Sequence, residues 1–172
     1  MYIRYIYNDV DSVNKIYAAM NKRDRFYIHG GKYAHNDKDY IWDPKGDFAT
    51  KYVKQDDFGF IVTMIVDGKP VAYFCCMRAW SEKNQQYTAS SEVDFAVHPR
   101  YRGRGFGTLI TRRGMSIIKK YSKFRHIEWF IVKRNRASEK LAQKNKFRYA
   151  GETISHDKQT VLIKYVYDKK GK

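Results

Sequence analysis

Between Val97 and Ile110 the chain reads VHPRYRGRGFGTLI, three glycines and three arginines set between two apolar segments. The run before it, YTASSEVDFAV (Tyr87 to Val97), reads as a strand. The run after it, GTLITRRGMSIIKKY, carries Leu109, Ile110, Met115, Ile117 and Ile118 at helical spacing. A strand that passes through glycines into a helix leaves unpaired amide groups at the helix start, where the helix dipole adds positive potential. Phosphate oxygens are the natural occupant, and glycines at 103, 105 and 107 keep Cβ atoms out of the way of a pyrophosphate. The loop is not a P-loop, because Gly107 is followed by Thr108 without the lysine that motif needs. Nor is it a dinucleotide fingerprint: the glycine pattern differs, and the loop follows the fourth strand rather than the first. A tight turn alone explains one or two glycines and leaves the arginines without a role.

Strands and helices alternate around that loop. MYIRYIYN reads as a first strand, with Asn8, Asp9 and Asp11 as candidate caps for a short helix whose apolar positions are Val13, Ile16, Tyr17 and Met20. From Asn21 to Asp57 the chain is polar and mixes Tyr27, Tyr33, Tyr40 and Trp42 with Gly and Asp. It reads as long loops with room for a short helix, a composition that often marks a binding region. Phe58 to Trp80 reads as a hairpin turning at Asp67-Gly68, and SEKNQQ as a second turn. Beyond the glycine loop and its helix come the strand IEWFIVK, the helix ASEKLAQKN, and a terminal strand pair in FRYAGETIS and QTVLIKYVYD. The expected architecture is a single α/β (α+β) domain over residues 1–168, a central mixed, mostly antiparallel sheet flanked by helices, with a loose basic tail at 169–172.

At 172 residues the chain is long enough to bury one sizeable core, and an apolar share of 43% makes a folded domain the default. Its longest apolar runs, such as FIVTMIV, are far too short to span a bilayer, and MYIRYIYNDV lacks the pattern of a secretory signal, so no membrane partner is expected. Cys75 and Cys76 are adjacent, and neighbours on a strand point to opposite faces, which argues against a disulfide framework and for a reducing, cytoplasmic location. Neither has a base beside it in sequence, so a place in the strand core outweighs a nucleophile's role. His29, His35 and Asp37 match no strong ligand spacing, and no metal site is expected. Charge is more informative. Lys+Arg 34 against Asp+Glu 18 gives a net +16, and the excess is concentrated: His98 to Arg148 holds 16 basic residues against Glu128 and Glu139 alone. A field centred on the glycine loop draws anionic partners. Nucleic acid is one candidate for this 98–148 region, beside a merely solvated surface.

The loop resembles the acyl-CoA site of the GNAT superfamily of N-acyltransferases. That superfamily's signature, Arg/Gln-x-x-Gly-x-Gly/Ala, is filled by Arg102, Gly105 and Gly107 and preceded by the V-x-P-x-Y approach of Val97, Pro99 and Tyr101. A second match follows in register: NRASEKLAQKNKF is similar to N-x-x-(A/S)-x-x-L-x-x-x-x-G-F through Asn135, Ser138, Leu141 and Phe147. Together they cover about Tyr87 to Glu152, and the element order agrees with a GNAT-like domain. The resemblance implies acetyl-CoA, or another acyl-CoA, as co-substrate. Its pyrophosphate would lie on the amides of Arg102, Gly103, Arg104, Gly105, Phe106, Gly107 and Thr108, with charge added by Arg102 and Arg104. Backbone groups near Phe95 and Val97 would pair with the pantetheine arm, and Asn135 and Ser138 would touch its far side. Asn135 is equally placed to cap the helix RASEKLA.

The resemblance also places a catalytic carboxylate in the strand entering the loop, where Glu92 stands. Asp94, two residues on, shares its strand face. A solvent-facing acidic row is the plain alternative for both. Two departures accompany the matches. Ala142 follows Leu141 where many members carry the tyrosine that protonates the leaving thiolate, and Lys146 stands where a glycine precedes the final Phe147. Tyr149 and Tyr165 are the candidate substitutes. Three functions remain open. The first is an N-acetyltransferase in which a primary amine of a small molecule or protein attacks acetyl-CoA directly, in an acidic or neutral pocket. The second acetylates an amine carried on nucleic acid, such as an aminoacyl-tRNA, with the basic face on phosphates. The third is a CoA- or nucleic-acid-binding module without turnover.

Overall fold

The computed structural model describes residues 1–29, 59–81, 86–155 and 158–169. The aromatic loop positions Tyr33, Tyr40 and Trp42, the pair His35 and Asp37, most of the SEKNQQ turn and residues 170–172 of the expected tail lie outside the described residues. The strands are β1 (Ile3–Tyr7), β2 (Phe60–Val66), β3 (Lys69–Ser81), β4 (Gln86–Val97), β5 (His126–Val132), β6 (Arg148–Ile154) and β7 (Val161–Asp168). The helices among the described residues are α1 (Val10–Ala18), α2 (Lys22–His29), α3 (Phe106–Tyr121) and α4 (Arg136–Lys144). The strands form one sheet in the order β1-β2-β3-β4-β5-β7-β6. Every neighbouring pair is antiparallel except β4 and β5, which run parallel. The expected mixed, mostly antiparallel sheet is therefore the observed one.

Local chemistry accounts for the boundaries. Asp9 caps α1 by accepting from the Ser12 amide at 3.1 Å. Asp67 and Gly68 turn the β2–β3 hairpin with φ of +47° and +79°, the left-handed pair such two-residue turns require. Each face of the sheet buries its own cluster. On one, α3 and α4 cover Val62, Phe74, Ile127, Ile131 and their neighbours with Ile110, Met115, Ile118 and Ala142. On the other, α1 lays Val13, Ile16 and Tyr17 over Ile61, Tyr73, Cys75 and Ala96. Alternation along β3 sends Cys76 to the first cluster and Cys75 to the second, and both thiols are free and buried. Burial holds both in the thiol form, Cys76 pushed up to about 12. They serve as small core residues.

The short helix for which the polar segment after Asn21 left room is α2. Two details depart from the sequence pattern. Leu109, expected on the apolar stripe of its helix, is among the exposed large hydrophobic residues. Lys169, expected in a loose tail, is held in place: its amide donates to the Arg125 carbonyl at 2.8 Å, and its ammonium donates to the Ser122 carbonyl at 2.8 Å beside the C-terminal end of α3.

Candidate active site

β4 runs out into a short 3-10 turn, Pro99–Tyr101, and then into the glycine loop. In that turn the Tyr101 amide donates to His98 and the Arg102 amide to Pro99. The first helical bond of α3 is Leu109 N–H to the Gly105 carbonyl. Between these two points the amides of residues 103–108 find no acceptor among the described residues. The first amides of a helix have no acceptor within it, and six unpaired amides in one run at the positive end of a sixteen-residue helix make an anion cradle. Gly105 occupies the N-cap with φ +83° and has no side chain to offer, and a Cβ built there meets nothing within 4 Å. Both the conformation and the open space fit a polyphosphate laid on the backbone.

The arginines divide their roles. Arg102 turns back into the protein: its Nε donates to the Val97 carbonyl at 3.2 Å and its Nη1 to Asp24 Oδ1 at 2.7 Å, tying the loop to α2. Arg104 lies over the Tyr101 ring, 5.7 Å from its centroid, and is exposed beside the cradle. Phe106 gives the cradle its amide while its ring is buried in the core.

From the cradle a cleft leads into the sheet. β4 and β5 pair only at Ser91–Ile127 and Glu92–Glu128, and toward their C-terminal ends the two strands separate. Val93 to Val97 therefore present an edge toward β5 that no strand occupies. Phe95 bridges the base of the gap with its ring edge-on to Trp129 at 5.2 Å. The cleft is lined by Tyr27 and Ile28 of α2, Asp94 and Phe95 of β4, Trp129, Phe130 and Ile131 of β5, and Asn135 and Ser138 at the start of α4. Asn135 does cap α4, its side chain accepting from the Ser138 amide at 3.4 Å, and both residues also stand on the cleft wall.

Glu92 and Asp94 share the sheet face covered by α1 and α2, with Glu92 at the vertex where the strands part and Asp94 on the cleft wall. Burial raises Glu92 to about 7, reinforced by the Glu128 carboxylate beside it and opposed by Lys164. Burial raises Asp94 to about 7 as well, offset in part by the Phe95 amide and the Tyr73 hydroxyl, which donates to Asp94 Oδ2 at 3.3 Å. Two half-buried carboxyl groups that change charge near neutrality, Asp94 on the cleft wall and Glu92 at the last rung where β4 pairs with β5, make a site equipped for proton transfer.

Tyr27, one of the aromatics that the sequence places in a candidate binding region, lines the cleft, carried there by α2. Sequence reasoning missed Glu128. Glu128 gave a signal in being one of two acids in a strongly basic stretch, but its pairing with Glu92 is made by the sheet.

Comparisons with known proteins give the family and the fold. The model of the Acetyltransferase (GNAT) family matches residues 18–147. The chain belongs to the GNAT acetyltransferase family. An uncharacterized N-acetyltransferase of Methanocaldococcus jannaschii is 26% identical over 132 residues, 76% of this chain and 53% of that protein. The chain thus spans about half the length of that curated relative. Among solved structures, a GNAT-family acetyltransferase from Streptococcus pneumoniae superposes with a TM-score of 0.72 at 13% identity, covering 97% of this chain and 99% of the other. A putative acetyltransferase from Salmonella typhimurium, solved with acetyl-CoA, gives 0.72 at 17% identity, covering 99% and 95%.

As a GNAT protein the chain has an unusual second motif. Ala142, at the position where many relatives carry tyrosine, lies on the inner face of α4 and is fully buried in the core. Tyr165 is buried beside Tyr149, which is exposed, and neither lines the cleft. Lys146, where a glycine is usual, adopts φ +68° and closes α4 with its amide on the Gln143 carbonyl and the Phe147 amide on that of Ala142. Lys146 thus adopts the left-handed conformation that a glycine would take more easily. Among the described residues no group of His, Cys, Asp or Glu is arranged to hold a metal ion, and no helix is long and apolar enough to cross a membrane.

Proposed function

We propose that this protein transfers an acetyl group from acetyl-CoA to a primary amine of a small molecule or protein by direct attack. The observation that carries the reading is that β4 and the loop that follows it hold three features together: six acceptor-free amides, an edge left unpaired beyond Glu92, and two carboxyl groups poised near neutrality. The cradle, residues 103–108, fits the pyrophosphate, with Arg104 adding charge and Arg102 bracing the loop against α2. The free edge of β4 at Phe95 and Val97 fits an extended amide-bearing arm as an added strand, and Asn135 and Ser138 close its other side. An arm that starts on the cradle and follows the gap ends at the vertex, beside Glu92 and Asp94.

Bound there, acetyl-CoA supplies the acetyl group to the amine, the N–C bond forming as the C–S bond breaks. Glu92, as its carboxylate, takes a proton from the incoming ammonium so that the nitrogen lone pair is free. Asp94, on the cleft wall and fixed by Tyr73, holds the amine by its charge. Tyr27, a tyrosine on the cleft wall, is the donor we assign to the departing sulfur in place of the residue at Ala142.

One observation favours a second acceptor class. α3 contains no acidic residue, and Arg112, Arg113, Lys119 and Lys120 on its exposed side have no carboxylate partner among the described residues. A ridge of this kind suits the phosphates of an amine-bearing nucleic acid. Label transfer from radioactive acetyl-CoA into a cell extract, with and without nuclease, decides. Label that survives nuclease in small amines or protein is the expected result. Nuclease-sensitive label assigns the acceptor to nucleic acid. No transfer by protein that binds CoA would sink both enzymatic readings and leave a binding module.

A further inference from the structure

Glu128 is an acidic residue in the most basic part of the chain, and it is heavily partnered. Its Oε1 accepts from the Lys164 ammonium on β7 at 2.7 Å and faces His126 Nε2, two residues back on its own strand, at 3.2 Å. The other nitrogen of the His126 ring faces Asp168 Oδ1 at 2.7 Å, and Asp168 in turn pairs with Arg148. The side chain of Glu128 is only 14% exposed, so its charge is poorly screened by solvent. In the sheet it is the direct register partner of Glu92 across the last paired rung of β4 and β5. Neighbours in register point to the same face, so an ion-paired carboxylate stands next to Glu92 at the point where the cleft begins.

We propose that Glu128, fixed between Lys164 and His126, is a positioning residue for the proton acceptor Glu92: its charge and location keep Glu92 ready to take one proton and release it in each turnover. The inference rests on the reading of Glu92 as the base. The other groups on this face do not supply the effect. Across β3 the register partner of Glu92 is the apolar Met77. Cys75 and Tyr73 beyond it are held neutral by burial. Asp94 shares the strand and points to the cleft, and Tyr27 approaches from α2. Glu128 and Lys164, of opposite sign, are the two charges that act on Glu92.

Carboxyl-13C NMR of the full chain labelled in glutamate, titrated without ligand, tests this directly. Glu92→Gln identifies the Glu92 resonance by its loss. Removing the negative neighbour in Glu128→Gln lowers the Glu92 midpoint, and removing the cation in Lys164→Gln raises it, each by about half a unit to one unit at low salt. Opposite shifts cannot come from loosened packing, which would act in one direction on both variants. Midpoints within about 0.2 unit of wild type, or shifts of the same sign, overturn the proposal. The function reading fails separately: if Glu92→Gln still transfers label at the wild-type rate, there is no base for Glu128 to serve. If that variant is inactive while the titrations do not move, the function stands and the role of Glu128 falls.

Discussion

Glu92 combines two requirements that usually conflict. A base must be ionised to accept a proton, yet a base too weak to hold it does little. A carboxyl group raised to about 7 meets both near neutral pH. Activity that needs the carboxylate must rise with pH through about 7 and level off above it. Glu92→Gln, nearly the same shape, is expected to lower kcat by about 10²–10³-fold and to remove that limb of the pH–rate profile. Steady-state kinetics from pH 5.5 to 8.5 on the acceptor found by label transfer checks it, and an unchanged limb in the variant would shift the base to Asp94. Gly105 tests the other end of the cleft. A Cβ there has open space, so Gly105→Glu strains the backbone by about 1–2 kcal/mol without a clash. Its anion, however, occupies the place of a phosphate, a juxtaposition that costs several kcal/mol. Calorimetry should show CoA affinity reduced by at least about a hundredfold in a protein that still unfolds cooperatively. Gly105 was legible because the glycine loop is local, its spacing pointing to an anion-holding turn, whereas Glu92 was singled out by the resemblance to the GNAT proteins. Asp24 was not, since its partner Arg102 lies 78 residues away and nothing near either residue announces the contact.

At the scale of elements, α3 shows how tertiary packing overrides propensity. Gly114 sits mid-helix, where alanine would be favoured by about 1 kcal/mol. It is there because the Phe74 ring, fully buried on β3, packs against the helix backbone, and a Cβ at 114 would overlap that ring. Overpacking of this kind costs about 1–3 kcal/mol, so the clash outweighs the propensity. Gly114→Ala should therefore lower the unfolding midpoint by several degrees, roughly 2–4 °C for each kcal/mol in a chain of this size. A rise in Tm would mean that Phe74 can move aside. The sequence marked Gly114 as an irregularity in an otherwise periodic helix without giving its reason. The order of elements along the chain and most helix faces followed from periodicity, whereas the order of strands in the sheet is set by pairings between distant segments that periodicity does not encode. The parting of β4 from β5 had no such signal. YTASSEVDFAV and IEWFIVK read as ordinary strands, and only their pairing, broken after Glu92–Glu128, opens the cleft. The resemblance to the GNAT proteins implied a pantetheine arm beside Phe95 and Val97, but not that the two strands part.

Across the whole molecule, the fold carries a cost for its site. Glu92 and Asp94 titrate near 7 in the folded chain and near 4 when unfolded, so the native state binds more protons in between. Groups with raised folded values contribute stability that is fully present below the unfolded pKa and lost as pH rises through the folded one. Both carboxyl groups are half-buried, and after allowance for solvent screening the loss between pH 5 and pH 8 is about 2 kcal/mol, or roughly 4–8 °C in Tm. Two other groups work the opposite way. Asp168, lowered by Arg148 and His126, loses its contribution only at acid pH. His98, lowered by partial burial and then by Arg100 and Arg102, loses its own as pH falls below the usual histidine range. Self-repulsion of the +16 chain also eases as the pH rises. These terms are shared by a Glu92→Gln/Asp94→Asn variant, which lacks the two raised groups. Thermal unfolding of both proteins at pH 5 and pH 8 isolates the effect. The wild type is expected to lose more Tm than the variant on going to pH 8, and the variant to be the more stable protein there. Parallel behaviour would show that these carboxyl groups are no harder to ionise in the fold than in water, which would remove the basis for assigning proton transfer to this face of the sheet. The ionisation that frees the base to work is the one that weakens the fold, so the pH at which the protein is most stable should lie below the pH at which it is most active.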